Sequence, residues 1–468
     1  MFPPQRPSLT RSHGRERRPP ARERWINRGR SGRRRFIKGV CIATRLTAVN
    51  ILIISPLFPP EPAIAGIECD QLATALTVRG HSVSVVTSFP SRPGGSFYPG
   101  YRLAWRRDEF TRSGYRLIRT LSIPSGRHSL LRIAEYASFG VTSFLNALSI
   151  KADVIYSVSW PILGTGMSVL LSKVRRLPVV VCIQDIHPEA ALAAGHLASM
   201  NPLLGLLKAL DGAIVRRADA VHVISENFKR FYRSSRSIPE GKLHVIPNWM
   251  DEEVVTPGER NGEFRRQLEI RDDAFVAMYA GNIGAMTSVK TIIHAANLLR
   301  DEQSIVFVMA GDGSQLPECR ALAESYRLTN VRFFSPWKDE PVSFVHGTAD
   351  LLVLPMRKSG SMTSVPSKLI AYMLSGRPIL AAVDGLSDTA MVLAESGAGR
   401  SIPPEDHEAM ATAVRSLQRS AEQLSVMGEK ARQYALRNFS RTACVSRLVA
   451  LIESIADTSR PKQDAVAV

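Results

Sequence analysis

The sequence predicts an α/β protein made of two doubly wound domains that face a central cleft. From Asn50 onward, short β-branched runs alternate with longer helical patterns, and this alternation is typical of parallel sheets with crossover helices. The alternation occurs twice, on either side of a polar stretch that ends at Pro257-Gly258. The length of 468 residues also exceeds what one hydrophobic core usually serves.

The first series of elements predicts one domain over residues 49–250. Its strand-like runs are rich in Val and Ile, and they cover 51–54, 82–87, 153–157, 179–183 and 220–224. Helical patterns separate these runs at 66–79, 130–148 and 202–217. Ligands bind at the carboxyl ends of the strands in such sheets, so the loops after these runs are the first places to look for a site.

The second series predicts another domain over residues 251–440. Its strand-like runs cover 275–280, 305–310, 331–333, 351–354 and 378–381, again with helical patterns between them. After residue 405 the pattern is helical almost to residue 455. We predict a last helix over 441–456 that could cross back to the first domain, followed by a tail over 457–468.

Positive charge is concentrated at the start of the chain. Residues 1–48 contribute +12 of the formal +18, because they hold 14 Arg or Lys against Glu16 and Glu23. We predict a disordered basic extension, with two other interpretations open. Arg33-Arg34-Arg35 resembles a twin-arginine export signal, and the start codon could be misassigned. The remaining charge is ordinary for a chain of this size, so no nucleic-acid partner is predicted.

The cysteines give no sign of a metal centre. They are scattered without metal-site spacing, at Cys41, Cys69, Cys182, Cys319 and Cys444. This usage favours a reducing compartment, and the apolar run 179–183 predicts that Cys182 is a small core side chain. No apolar run reaches the ~18–20 residues of a membrane-spanning helix, so a soluble or peripheral protein is predicted.

The first motif that carries chemistry is a glycine turn at the end of a predicted strand. Gly281-Asn282-Ile283-Gly284 follows Tyr279-Ala280 and precedes a helix predicted to begin near Thr287 or Ser288. Glycine lets the backbone approach an anion closely, and the free N–H groups of a helix start attract phosphate. Alone, this motif is equally compatible with a strand-to-helix turn that binds nothing.

The second motif places a cation at the start of another helix. In Ser364-Val365-Pro366-Ser367-Lys368, either Ser364 or Ser367 can cap the helix and Pro366 suits its first turn. Lys368 would then lie beside exposed N–H groups, which is the outline of a diphosphate site. A capped surface helix with a solvated lysine is the other interpretation of this motif alone.

Together with further segments, the two motifs resemble one family. The segments that agree in order and spacing are 52–55, 58–60, the loop at Gly66, 79–83, 184–189, 245–248 and 310–313. Residues 49–455 resemble the family-4 retaining glycosyltransferases of GT-B fold, especially the bacterial branch that makes colanic acid and O-antigen. The resemblance implies an acceptor-side Rossmann-like domain over 49–250 and a nucleotide-sugar-binding one over 251–440.

The resemblance also implies where the donor binds. It assigns donor contacts in the second domain to Gly281, Asn282, Gly284, Ser364, Ser367, Lys368 and position 371, which is Ala371 here. It places Trp337 where the family recognises the nucleobase, largely through backbone contacts. No cofactor beyond the donor substrate is expected.

On the acceptor side, the resemblance points to two segments. The loop 59–66 would close over the reaction centre, with Gly66 letting the backbone pass near donor or acceptor. Asp185, His187 and Glu189 would face the cleft after a buried strand, and we expect Asp185 or His187 to orient the acceptor or act as base. A turn cap is the plainer interpretation of a lone Asp after a strand.

The sequence departs from the family at several positions. Many members carry two glutamates separated by seven residues, and those positions are Thr363 and Ala371 here. Asn282 and Thr287 stand where an arginine and a lysine often clamp the diphosphate, although Asn282 is usual in the polysaccharide branch. No DxD-type carboxylate cluster follows a strand, so we expect no metal. Lys368 then supplies most of the positive charge.

The expected activity is transfer of a sugar, with retention, from a nucleotide diphosphate sugar to a hydroxyl of a lipid-linked or polysaccharide acceptor. The expected location is the cytoplasm, with peripheral contact on the inner face of the plasma membrane. Two alternatives stay open. The loss of both glutamates allows a degenerate donor-binding partner protein, and the same fold also hosts nucleotide-sugar 2-epimerases.

Overall fold

The structure is a computed structural model that describes residues 48–92, 94–126, 129–159, 162–193, 203–260, 262–284, 287–334, 341–358 and 366–458. The prediction for residues 1–47 therefore lies outside the described residues, as do those for Thr363, Ser364 and Trp337. The described chain forms two α/β units, each built on a mostly parallel sheet. The predicted pair of doubly wound domains is confirmed.

The first sheet runs in the order β3-β4-β2-β1-β5-β6-β7-β8. Its strands are β1 Asn50–Ile54, β2 Ser82–Ser88, β3 Arg106–Phe110, β4 Arg116–Thr120, β5 Val154–Val158, β6 Val179–Ile183, β7 Ala220–Val223 and β8 Leu243–Val245. All neighbours are parallel except β3, which pairs antiparallel with β4. Strand β1 alternates between two cores, with Ile51 and Ile53 on one face and Leu52 and Ile54 on the other.

Helices cover both faces of this sheet, as an apolar parallel sheet requires. They are α1 Ile64–Val78, α2 Ser129–Ala147, α3 Leu163–Arg175, α4 Glu189–Ala193, α5 Leu204–Arg216 and α6 Glu226–Ser235, with a 3-10 turn at Glu240–Lys242. Cys182 is fully buried in the core, as predicted.

The second sheet is wholly parallel and runs in the order β11-β10-β9-β12-β13-β14. Its strands are β9 Phe275–Ala280, β10 Ile305–Ala310, β11 Val331–Phe334, β12 Leu351–Pro355, β13 Ile379–Ala382 and β14 Gly399–Ile402. Strand β9 is central and wholly buried, and its last residue, Ala280, pairs with Ala310 at the end of β10. The loops after these two strands therefore leave the sheet side by side.

The helices of the second half complete the fold. They are α7 Glu263–Gln267, α8 Lys290–Leu298, α9 Leu316–Ser325, α10 Val342–Gly347, α11 Ser367–Leu374, α12 Asp388–Ser396, α13 His407–Gln418, α14 Ala421–Asn438 and α15 Arg441–Thr458. Helix α8 begins at Lys290 rather than at Thr287 or Ser288, and its N-cap residue is Val289.

Helix α15 packs on the first sheet, although it follows the second in sequence. It contacts α1 and β5, and its Glu453 carboxylate lies 2.8 Å from Nε2 of His81 and 2.9 Å from Nε of Arg79. The His81 ring accepts the Val49 N–H at Nδ1, so Nε2 carries the proton and donates to Glu453. These hydrogen bonds thus connect α15 to Val49, the residue before β1.

Candidate functional site

Two glycine loops pack against each other where β9 and β10 end. The Gly281 N–H donates to the Ala310 carbonyl at 2.8 Å, and the Ile283 N–H donates to the Asp312 carbonyl at 2.8 Å. Gly281 has φ +139° and Gly311 has φ +158°, a region that L side chains rarely adopt. A Cβ on Gly311 would lie 1.9 Å from the Gly281 carbonyl oxygen, so this approach requires glycine. We call residues 281–284 and 311–313 the glycine corner.

Lys368 crosses the glycine corner. A Cβ on Gly281 would lie 2.3 Å from Cε of Lys368 and 3.4 Å from its Nζ, so the missing side chain of Gly281 is what makes room for the lysine. The Lys368 Nζ also lies 5.8 Å from the centroid of the Tyr279 ring, within reach of a cation–π contact. Burial lowers the pKa of Lys368 below its ordinary value. An anion placed at Nζ would reverse that shift.

Helix α11 presents this lysine at its first turn. The helix begins at Ser367, and its N-cap residue is Pro366, which caps no N–H through a side chain. Ser367 is therefore the first helical residue and not the cap, and Pro366 is the N-cap residue rather than a member of the first turn. The Leu369 N–H donates to the Pro366 carbonyl at 2.9 Å. No described residue accepts the N–H groups of Ser367 and Lys368, which face the start of the helix where an anion would be attracted.

Tyr372 fastens α11 to the end of β9. Its hydroxyl accepts the Ala280 N–H at 2.9 Å and donates to the Ala280 carbonyl at 2.9 Å. The ring is fully buried, and its neighbour Ala371 is also buried. Sequence reasoning missed Tyr372, because an aromatic residue inside an apolar helix gives no signal of a strand-end contact.

Asn282 and Gly284 occupy the outer part of the corner. The Asn282 side chain is exposed, and its backbone carbonyl accepts the Tyr279 hydroxyl. A Cβ on Gly284 would lie 2.8 Å from Nδ2 of Asn282, and one on Gly313 would lie 2.6 Å from its Oδ1. The amide of Asn282 thus fits between two glycines and faces outward.

A second group of predicted residues follows β6. The Asp185 side chain is exposed, and His187 is half-buried beside it. Burial lowers the pKa of His187 below its ordinary value, while the charges of Asp185 and Glu189 oppose that shift. His187 is therefore a neutral imidazole at pH 7 and can accept a proton. No hydrogen bond between described residues joins this group to the glycine corner.

Glu189 forms an ion pair with Arg236. Its carboxylate accepts Nη2 of Arg236 at 2.7 Å, and Nζ of Lys208 lies 3.6 Å away. Arg236 also donates from Nη2 to the His187 carbonyl at 3.2 Å. Glu189 therefore fixes the loop that carries His187, which leaves Asp185 and His187 as the groups open to a substrate.

Gly66 lies inside α1 and not in a loop, because the helix begins at Ile64. A Cβ on Gly66 would lie 3.0 Å from both Cα and N of Phe58. Glycine at this position lets the segment after β1 pass directly over the helix. Gly66 therefore contacts the backbone of Phe58, and no contact among the described residues places it at a cleft.

Comparison with known proteins identifies the domains. Residues 65–249 match the family described as Glycosyl transferase 4-like domain, and residues 261–434 match Glycosyl transferases group 1. The chain belongs to the glycosyltransferases that join these two domains. The resemblance found in the sequence is confirmed, and the protein is an enzyme of this class.

Individual relatives agree in sequence and in fold. WcaI of Escherichia coli (strain K12), by name a colanic acid biosynthesis glycosyl transferase, is 25% identical over 406 residues, which cover 84% of this chain and 97% of WcaI. Sucrose-phosphate synthase from Thermosynechococcus elongatus superimposes with a TM-score of 0.65 at 18% identity, over 88% of this chain and 100% of its own. Anabaena HepE, solved with UDP and glucose, superimposes with a TM-score of 0.61 at 15% identity, over 87% of this chain and 100% of HepE.

The glycosyltransferase also holds a buried carboxyl group that sequence reasoning missed. Glu68 on α1 accepts the Trp249 N–H at 3.2 Å and Nε2 of Gln184 at 3.4 Å. Burial raises its pKa to about 8, so the group is neutral at pH 7. The cavity beside it measures about 10 Å³, about the space of one water molecule. Glu68 therefore positions Gln184, the residue before Asp185, rather than contacting a substrate.

The raised pKa of Glu68 predicts a pH dependence of stability. The folded state holds a proton that the unfolded state has lost between pH 4.5 and about 8, so the contribution of Glu68 falls as pH rises through that window. Glu68→Gln stays neutral. As pH rises through that window, we expect the free energy of unfolding of the variant to increase relative to that of the wild type by at most about 1.4 kcal/mol per pH unit, measured by urea unfolding at several pH values. Parallel stability curves for the two proteins would contradict the assignment.

Proposed function

We propose that this glycosyltransferase transfers a sugar from a nucleotide diphosphate sugar, with retention, to a hydroxyl of a lipid-linked or polysaccharide acceptor. The observation that carries the donor assignment is the position of Lys368, whose ammonium lies against Gly281 at the carboxyl edge of the second sheet. Ligands of parallel α/β sheets bind at this edge. HepE, which shares the fold, was solved with UDP and with UDP-glucose, and this supports a nucleotide-sugar donor.

In the proposed reaction, the bond between the anomeric carbon and the diphosphate oxygen breaks, and the acceptor oxygen bonds to that carbon on the same face. Lys368 and the N–H groups of α11 stabilise the charge that develops on the departing diphosphate. The hydroxyl proton passes to Asp185 or to the neutral His187. We propose no metal ion in this step, because the cation and the backbone donors supply the positive charge.

The acceptor proposal rests on the relatives and not on a bound molecule. WcaI carries a name from polysaccharide biosynthesis, and the resemblance to that branch implies a lipid-linked or polysaccharide acceptor. Among the described residues, no helix has both the length and the apolar composition needed to cross a bilayer. We propose that the enzyme works in the cytoplasm and meets its acceptor by peripheral contact with the inner face of the plasma membrane.

A thermal-shift screen against UDP-, GDP- and ADP-sugars tests the donor assignment. A ligand that binds only the folded state stabilises it by about 2.7 kcal/mol at a hundred times its Kd, so one nucleotide class should raise the melting temperature by a few degrees. The free sugars and the nucleosides without phosphate are the matched controls. If no nucleotide sugar shifted the transition at millimolar concentration, the donor assignment would be wrong.

Ala371 supports a second candidate, a donor-binding partner protein without turnover. The side chain at this position is buried one turn along α11 from Lys368, and the family resemblance implies a donor-binding glutamate there in many members. Ala371→Glu would add a charge-assisted hydrogen bond of about 1.5–3 kcal/mol. We expect turnover in the wild type and tighter donor binding in the variant. Turnover that appears only in Ala371→Glu would favour the partner protein.

A further inference from the structure

Three neighbouring helices of the first domain expose apolar stripes. The exposed residues recur at helical spacing on each one: Ile133, Val141, Leu145 and Leu148 along α2 and just after it, Leu163, Leu170 and Val174 on α3, and Leu203, Leu206 and Leu210 at the start of α5. A helix on the surface of a globular protein ordinarily turns its polar residues outward. These three helices instead carry apolar residues on their inner and outer faces.

The three helices form one continuous layer. Gly140 of α2 packs on Gly164 of α3, where a Cβ on Gly140 would lie 3.4 Å from the Gly164 Cα. A Cβ on Gly166 of α3 would lie 3.1 Å from Cδ1 of Ile214 on α5. Glycine contacts thus hold α3 against both neighbours. Because the three helices are in contact, we call their exposed apolar residues together the apolar face.

The charges around the apolar face have one sign. Within the described side chains of α2, α3 and α5, the carboxylates are Glu135 and Asp211, and both are buried in ion pairs with Arg92 and Arg236. The exposed charges at the end of the stripes are cations, at Lys151, Lys173 and Arg176. An anionic partner would meet no exposed carboxylate on these three helices.

The apolar face starts at the edge of the sheet that carries the candidate catalytic residues. Helix α3 follows β5, and α5 follows β6 after the loop with Asp185 and His187. Because these strands are parallel, α3 begins at their carboxyl edge, and Asp211 of α5 shares Arg236 with the His187 carbonyl. A molecule lying along the apolar face would therefore pass beside the loop with Asp185 and His187.

We infer that α2, α3 and α5 dock this enzyme onto an anionic lipid bilayer, with the apolar stripes in the headgroup region and the cations against lipid phosphates. Large apolar surfaces mark interaction sites, and apolar area beside Lys and Arg is the composition of interfacial membrane binding. Docking would bring a lipid-linked hydroxyl to the carboxyl edge of the first sheet. This inference rests on the proposed function for the identity of that acceptor.

Vesicle flotation of the full chain tests the inference. The probes are vesicles of phosphatidylcholine alone and vesicles with about a third of phosphatidylglycerol. Leu145→Glu, Leu170→Glu and Leu206→Glu together place three anions on the apolar face, at side chains that are 45%, 47% and 63% exposed and so tolerate the change. We expect the wild type to float with the anionic vesicles, and the triple variant to partition at least tenfold less.

The matched control is the triple variant Val78→Glu, Val426→Glu and Leu436→Glu, which adds the same charge at exposed residues outside these helices. It should float like the wild type. Equal flotation of both triple variants, or a wild type that does not float with the anionic vesicles, would overturn the inference. The thermal shift with a nucleotide sugar is measured on every variant, so loss of flotation with intact donor binding separates the membrane surface from the donor site.

Discussion

Lys368→Ala is expected to weaken the binding of a nucleoside diphosphate by about 10- to 100-fold in titration calorimetry. The ammonium lies against Gly281 and at the first turn of α11, so its removal takes a cation from the proposed phosphate position. Hydrogen bonds to charged groups contribute about 1.5–3 kcal/mol, and each 1.4 kcal/mol is a factor of ten in Kd.

The matched control for this variant is Lys430→Ala. The Lys430 side chain also lies against a glycine, with its Cδ 3.3 Å from where a Cβ on Gly397 would be. Gly397 precedes β14 and therefore lies at the amino edge of the sheet, whereas Lys368 lies at the carboxyl edge. Its removal should leave the affinity unchanged. A Lys368→Ala protein that binds the nucleotide as tightly as the wild type would remove Lys368 from the donor site.

Gly311→Ala is expected to lower the free energy of unfolding by about 2 kcal/mol or more, measured by urea denaturation. The added Cβ would meet the Gly281 carbonyl at 1.9 Å, and a backbone atom cannot move aside as a flexible side chain can. The φ of +158° adds strain of about 1–3 kcal/mol for any residue with a side chain. Because Gly281 must shift, we also expect weaker nucleotide binding in the folded fraction.

Gly385→Ala is the control for that strain. Gly385 lies in the same half of the chain, and an added Cβ would meet no atom within 4 Å. This substitution should leave stability unchanged or raise it slightly, since alanine restricts the unfolded chain. A Gly311→Ala protein as stable as Gly385→Ala would mean that the two loops are not held as closely as described.

The sheet strands were predictable because burial on both faces leaves a readable pattern. Strands β6, β9 and β10 begin and end where the apolar runs do, since a central parallel strand needs apolar residues at every position. The hairpin of β3 and β4 was missed for the converse reason. Arg106–Phe110 is charged and half-exposed at the sheet edge, where solvent removes the apolar signal.

The contacts of the candidate site were less predictable, since they depend on residues distant in sequence. The motifs named Gly281 and Lys368 separately, but only the fold shows that the glycine makes room for the lysine. Asp185, His187 and Glu189 were all expected to face the cleft, and only the fold shows that Glu189 forms an ion pair with Arg236. Glu68 carries no motif at all, because its raised pKa comes from burial that a helix pattern cannot report.

Hydrogen–deuterium exchange of the wild type, with and without UDP, GDP or ADP, tests the central claim most directly. The claim is that the glycine corner and the first turn of α11 bind the diphosphate. We expect one nucleotide to protect peptides covering 279–284, 310–316 and 366–374, because their N–H groups would be covered. Peptides from α2 and α3 should exchange unchanged. Protection confined to the first domain, or none at a saturating concentration of every nucleotide, would contradict the claim.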